Sequence, residues 1–295
     1  MELGTLILQT DPWSRATQLW REVEASGVDR AYVADHLTHP AMVGDWVADP
    51  WVTLGAAAVV TTTLGLGTLV ASAATRSPVL LARAAATLHD VSNGRFVLGL
   101  GAGNPLDAKA ERGSDETTAT LSRRFADVVH GLKAVWAGDE GYAGRVLSVD
   151  GVHCAPHAPG RTAPPLVLAA HGPTGLDLVA REGDGWTAYG GARIVGVQRR
   201  EFWDVVGAQA AALTETCERL GRDPASLRRS VLVGYAGYRP LESVASFEDE
   251  AAAATAAGFD ELCFYWPTDV IGGVLAADVD VVCQAIAAVH GRVAS

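Results

Sequence analysis

LGLGTLVASAATRSPVLLARAAATLHDVSNGRFVLGLGAGN, residues 64–104, reads as strand, loop, helix and strand in one unbroken unit, and the rest of the chain repeats that theme. Residues 64–71 form a short apolar run bounded by Thr and Ser/Ala punctuation, as expected of a strand buried on both faces of a parallel sheet. Ser77 is read as an N-cap whose hydroxyl takes free amides, with Pro78 at the first helical position. Asn93-Gly94 closes the connection, because both residues tolerate positive φ, and residues 96–100 supply the second strand. Two buried strands joined by a helix make a right-handed crossover, and such units seat their ligand at the carboxyl ends of the strands. Those ends are Val70-Ala71-Ser72 and Gly101-Ala102-Gly103-Asn104.

Outward from this unit the pattern recurs. Strand candidates at 3–9, 30–34, 166–170, 185–188, 228–234 and 261–266 lead to helices at 13–25, 50–61, 174–182, 202–220, 247–257 and 276–293. Leu121, Phe125, Val128, Leu132 and Val135 fall on one face of a further helix. Residues 142–155 read as a hairpin excursion, 39–48 as an irregular aromatic loop that could wall a pocket, and 105–117 as a long polar loop of mixed charge. Eight strand–helix alternations without a linker predict a single (β/α)8 TIM barrel over residues 1–295, a fold of about 250 residues plus insertions.

Bulk properties exclude several classes of function. The 49% apolar composition rules out general disorder, and no uninterrupted apolar run is long enough for a bilayer. The N-terminus lacks a basic segment followed by an apolar one, so a cytoplasmic protein without membrane contact is expected. A formal charge of −11 without a Lys/Arg cluster argues against nucleic acid as a partner. Cys154, Cys217, Cys263 and Cys283 form no CxxC pair, which points to ordinary thiols and no metal. Neither GxSxG nor HExxH occurs, and no Walker-type phosphate loop.

Candidate chemistry gathers after the strands. His36 has two readings, an acid/base or cofactor contact just past a strand, or an exposed loop histidine with Asp35 as a turn cap. Gly99-Leu100-Gly101-Ala102-Gly103 fails as a dinucleotide fingerprint, since the third glycine would fall on Asn104 and Pro105 with a polar loop follows. Its glycines either let a flat ring approach the backbone or pack strand against helix. His171-Gly172-Pro173-Thr174 lies between a strand and a helix, where free amides suit an anion such as a phosphate. Arg76 could pair with an anionic ligand or with Asp90 or another neighbour, and Trp46, Trp186 and Trp266 could line a pocket or pack in the core.

Taken together, these segments resemble the bacterial luciferase-like monooxygenase superfamily, in its coenzyme F420 (deazaflavin) branch. The residues that carry the resemblance are Val33-Ala34-Asp35-His36-Leu37, the 65–70 run with Thr75-Arg76-Ser77-Pro78, Asn93-Gly94-Arg95-Phe96 with 98–103, and 168–174 with Asp184-Gly185-Trp186. The resemblance implies a barrel holding F420, or alternatively FMN, at the carboxyl end of its strands, with His36 near the reactive ring carbon. It implies a non-prolyl cis peptide at Leu69-Val70 against the ring, Ser72 facing it, and Ala170, His171, Gly172 and Pro173 at the phosphate arm with Tyr189 nearby. Asn104 stands where sugar-phosphate dehydrogenases of the branch carry an acidic proton donor, and His171 where a glycine is common. The function implied is hydride transfer between F420 and a small organic substrate, with His36 moving the proton and Asp35 orienting it. An FMN-dependent monooxygenase and a non-catalytic flavin-binding barrel are the alternatives. A homodimer is expected from the resemblance and from the apolar face at 121–135.

Overall fold

Eight parallel strands close on themselves in the computed structural model, which describes residues 1–38, 46–113, 115–153, 155–191, 194–268 and 275–291. Strands β1 (Glu2–Ile7), β2 (Arg30–Val33) and β3 (Gly65–Thr68) run side by side. A two-residue strand, β4 (Ala71–Ser72), follows β3 and pairs with β5 (Phe96–Gly101). The excursion is a two-stranded hairpin, β6 (Tyr142–Ala143) with β7 (Ser148–Val149). The ring continues through β8 (Leu166–Ala169), β9 (Gly185–Ala188), β10 (Arg228–Leu232) and β11 (Glu261–Tyr265), which pairs with β1. Pairing of β3 with β5 and of β5 with β8 completes the closure, so the fold is the (β/α)8 barrel expected from the alternation of strands and helices.

Helices form the outer layer: α1 (Trp13–Ala25), α2 (Pro50–Val60), α3 (Pro78–Val91), α4 (Pro105–Arg112), α5 (Thr118–Ala137), α6 (Pro173–Glu182), α7 (Arg199–Arg219), α8 (Val244–Ala256) and α9 (Val279–Val289). Among the described residues no helix is long and apolar enough to cross a membrane. The main core lies between strands and helices, with Leu66, Leu98, Leu100, Trp186 and Phe264 fully buried there. A second cluster fills the barrel itself, formed by Leu6, Leu8, Tyr32, Ala34, Leu232, Cys263 and Tyr265. At the amino end the Tyr32 ring takes the space of missing side chains, since a Cβ on Gly4 or Gly67 would come within 2.8 Å of it. Its hydroxyl donates to Glu261 at 2.9 Å, and Arg30 and Arg228 pair with that carboxylate and with Glu2, closing the barrel floor with compensated charge.

Several expectations are corrected. Residues 105–112 are helix α4, where a polar loop was expected: Asn104 caps it, accepting from the Asp107 amide at 2.9 Å, Pro105 opens it, and Gly113 ends it at φ 67°. Ser77 precedes α3 without a side-chain cap bond. The apolar face of α5, read as a dimer face, is spent inside the molecule, with Leu121, Phe125, Val128, Leu132 and Val135 all buried. Trp186 is wholly buried and donates to the Ala170 carbonyl at 2.9 Å, so it lines no pocket. Of the loop read as a pocket wall, residues 39–45 lie outside the described residues, as does Cys154.

Candidate active site

Because the eight strands are parallel, every segment that follows one of them emerges at the same end of the barrel. His36 and Asp35 follow β2, Leu69-Val70 follows β3, Asn104 follows β5, Ala170, His171 and Gly172 follow β8, and Tyr189 follows β9. The site residues read from the sequence therefore share one mouth.

At β2 the two adjacent polar residues face different partners. Asp35, 2% exposed, is gripped in a two-point fork by Arg76, at 2.7 and 3.0 Å, and accepts from the Ser72 amide at 3.3 Å. Arg76 reaches Asp49 at 3.4 Å and lies over the Trp51 ring at 5.8 Å. Asp35 thus ties β2 to β4 and does not orient His36, and Arg76 is committed to it rather than to Asp90.

His36 is oriented instead by Asp107, in the first turn of α4, on the segment expected to be a polar loop. Asp107 is fully buried. Its Oδ2 takes His36 Nδ1 at 3.0 Å and the Asn104 side-chain amide at 2.7 Å, while its Oδ1 accepts from the amide and hydroxyl of Thr38, both at 2.7 Å. Burial opposes its charge, but the bonds from His36 and Thr38 outweigh it and hold the carboxyl below its usual range. An ionised carboxylate only accepts, so neutral His36 carries its proton on Nδ1 and keeps Nε2 as the acceptor nitrogen. The ring itself is 39% exposed. Asn104-Pro105-Leu106-Asp107 carried the signal that would have found this carboxylate: a cap residue, proline at the first position and an acid in the first turn.

The Leu69-Val70 peptide is cis. The glycines of β5 make room for this segment, because a Cβ on Gly99 would run into the Thr68 carbonyl and one on Gly101 would lie 2.8 Å from Val70. Beside it, Ser72 is 3% exposed and its hydroxyl has no hydrogen-bond partner among the described residues. Across the mouth, His171 stands edge-on to Tyr189 at 4.6 Å, and its buried Nδ1 has no hydrogen-bond partner among the described residues. Burial lowers its pKa, with the neighbouring Gln209 side chain opposing the shift. Gly172 then caps α6 without a side-chain bond, and nothing lies within 4 Å of the place a Cβ would take. The amides that open α6 are thus exposed to a ligand, with the helix dipole favouring negative charge.

Two buried polar atoms without partners among the described residues, an open anion-binding turn and a carboxylate-held imidazole fit a large polar cofactor with an anionic tail. Comparison with known proteins agrees with the architecture. The profile of the family described as luciferase-like monooxygenase matches residues 1–236. An F420-dependent hydroxymycolic acid dehydrogenase of Mycobacterium tuberculosis is 29% identical over 239 residues, covering 79% of this chain and 59% of that protein. Among solved structures, an F420-dependent secondary alcohol dehydrogenase in complex with an F420-acetone adduct superposes with a TM-score of 0.77 at 19% identity, covering 98% of both chains. A riboflavin lyase with modified FMN superposes at 0.73 and 14% identity, over 99% of this chain and 90% of that one. At those identities the structural likeness speaks for the fold alone.

Proposed function

The chain belongs to the luciferase-like monooxygenase family, and from that premise we propose that it is an F420-dependent oxidoreductase that interconverts a small alcohol and its ketone or aldehyde. The observation that carries this reading is the pairing of His36 with the buried carboxylate of Asp107 at 3.0 Å, at the end of the barrel where ligands bind. The F420-dependent mycobacterial relative supports the choice of cofactor.

Ser72, His171, Tyr189 and the amides at Gly172 and Thr174 would hold the cofactor, with Leu69-Val70 beneath its ring. Bound there, F420 supplies the ring carbon that gives or takes the hydride. The chain's own part is the proton. His36 accepts the substrate hydroxyl proton at Nε2 during oxidation and returns it during reduction. Asp107 balances the imidazolium charge that forms and keeps the ring from turning. Asn104 holds Asp107 in place and caps α4, so it serves this pair instead of donating a proton itself.

Titration of the purified protein with F420 and with FMN, each followed by dialysis and absorbance, tests the reading. Retention of FMN alone refutes it in favour of a flavin monooxygenase. His36→Ala should bind F420 nearly as well as the parent protein while losing at least about 100-fold in turnover; a protein without turnover to lose is a carrier.

A further inference from the structure

We propose that Thr38 is a positioning residue: its hydroxyl fixes the plane of the Asp107 carboxylate and thereby aims the imidazole of His36. This rests on the proton chemistry proposed above for His36 and carries it one residue further from the reacting atoms.

Past β2 the side chains alternate in partner. Asp35 goes to Arg76, whereas His36 and Thr38, two residues apart, both reach Asp107. That is the pattern of a chain leaving a strand, where residues two apart share a side.

Asp107 is fully buried, and an ionised carboxyl there needs its acceptor positions filled, because a buried anion short of its bonds is costly. Its two oxygens offer about four such positions. Oδ2 takes His36 Nδ1 at 3.0 Å and the Asn104 side-chain amide at 2.7 Å. Oδ1 takes the amide and the hydroxyl of Thr38, each at 2.7 Å. Donors on both oxygens keep the carboxylate from turning about its Cβ–Cγ bond, and so set the direction from which Oδ2 meets the imidazole. Any residue except proline would supply the amide. The hydroxyl is what this position adds, and the β-branch of threonine leaves it little rotamer freedom to lose. Without it Oδ1 is held by one bond, about which the carboxylate can swing away from the ring.

Thr38→Val deletes the hydroxyl and keeps the branch and the amide, and Thr38→Ser puts the hydroxyl back. Carbon NMR of the Asp107 carboxyl, followed against pH in the protein without cofactor, reads the bond itself. Loss of a donor to the charged form should move its titration about one pH unit upward in Thr38→Val, and Thr38→Ser should bring it back. In F420 reduction by whichever secondary alcohol the parent oxidises fastest, Thr38→Val should lose about tenfold in kcat with KM and F420 affinity unchanged. Thr38→Ser should regain most of that loss. A carboxyl titration that stays in place in Thr38→Val overturns the assignment. So does a loss of turnover that Thr38→Ser shares, or full turnover in Thr38→Val while His36→Ala is inactive. A moved titration with turnover undiminished in both Thr38→Val and His36→Ala upholds Thr38 as the holder of the carboxylate and refutes His36 as the base.

Discussion

Asp107→Asn replaces one carboxylate oxygen by an amide nitrogen, in surroundings that leave the new group few partners. Oδ1 can stay where it is, keeping the amide and hydroxyl of Thr38 at 2.7 Å. The new NH2 then falls at the Oδ2 position, facing the Asn104 amide at 2.7 Å and His36 Nδ1 at 3.0 Å. Asn104 cannot turn its amide over to accept, because its oxygen already takes the Asp107 amide as the cap of α4. The site is left with a buried donor against a donor, at a cost of about 1–3 kcal/mol, or with a broken cap at about 1 kcal/mol. His36 escapes by moving its proton from Nδ1 to Nε2, which turns the nitrogen that should accept a proton into a donor.

The variant should therefore fold, melt a few degrees lower, and lose on the order of 100-fold or more in F420 reduction by whichever secondary alcohol the parent oxidises fastest. Long-range nitrogen NMR of the imidazole reads the tautomer directly. The stability gap carries its own pH signature. The Asp107 carboxyl lies below its ordinary 3.8 in the folded protein, so its contribution is complete above that value and is lost as pH falls through the folded one. The parent and variant melting curves should converge in strong acid. An Asp107→Asn protein with the parent's tautomer and turnover would refute the assignment of His36 as a carboxylate-oriented base.

Other substitutions probe the frame around this pair. Gly99→Ala would drive a methyl into the Thr68 carbonyl, which cannot yield as a side chain could, so a loss of about 3 kcal/mol is expected by calorimetry. Gly172→Ala, with open space around it and an ordinary φ of −104°, should leave the melting temperature unchanged. Arg76→Met strands Asp35 in a buried position and should cost about 3 kcal/mol; adding Asp35→Asn should recover part of it, and strictly additive losses would deny the coupling. Glu24 is opposed by burial, yet it accepts from the amides of Thr62, Thr63 and Leu64 and is held down at about 2. Its stabilisation, about 1–2 kcal/mol after allowance for solvent screening, is present above pH 4.5 and fades as pH falls toward 2. Glu24→Gln should therefore lower the melting temperature at neutral pH and make no difference in strong acid.

The fold was legible because buried parallel strands announce themselves locally. Residues 185–188 are a short run between Asp184 and the Gly-rich turn at Gly190-Gly191, and the structure forms β9 over the same span, Gly185–Ala188. The closure of the ring by β3 on β5 followed from the count of alternations and the need to leave no edge. The strand ends were legible for the same reason, and with them the positions of His36, Leu69-Val70 and His171.

Partnership across the mouth was not legible, and the reason is physical. Asp35 adjoins His36 in sequence, but the route of the chain past β2 carries the carboxylate to Arg76, 41 residues on, while the imidazole meets Asp107, 71 residues on. Which of two acids a histidine finds depends on how helix α4 is set against β5, and that packing leaves a mark in the sequence only through its cap. Asn104-Pro105-Leu106-Asp107 was readable as a helix start, and reading it so would have put an acid in the first turn after a strand end, at the same mouth as His36. The same cap explains why an asparagine at position 104 need not act as an acid: its side chain is consumed at both ends, by the α4 backbone and by Asp107, so in the reaction proposed for this mouth the proton falls to the imidazole next to it.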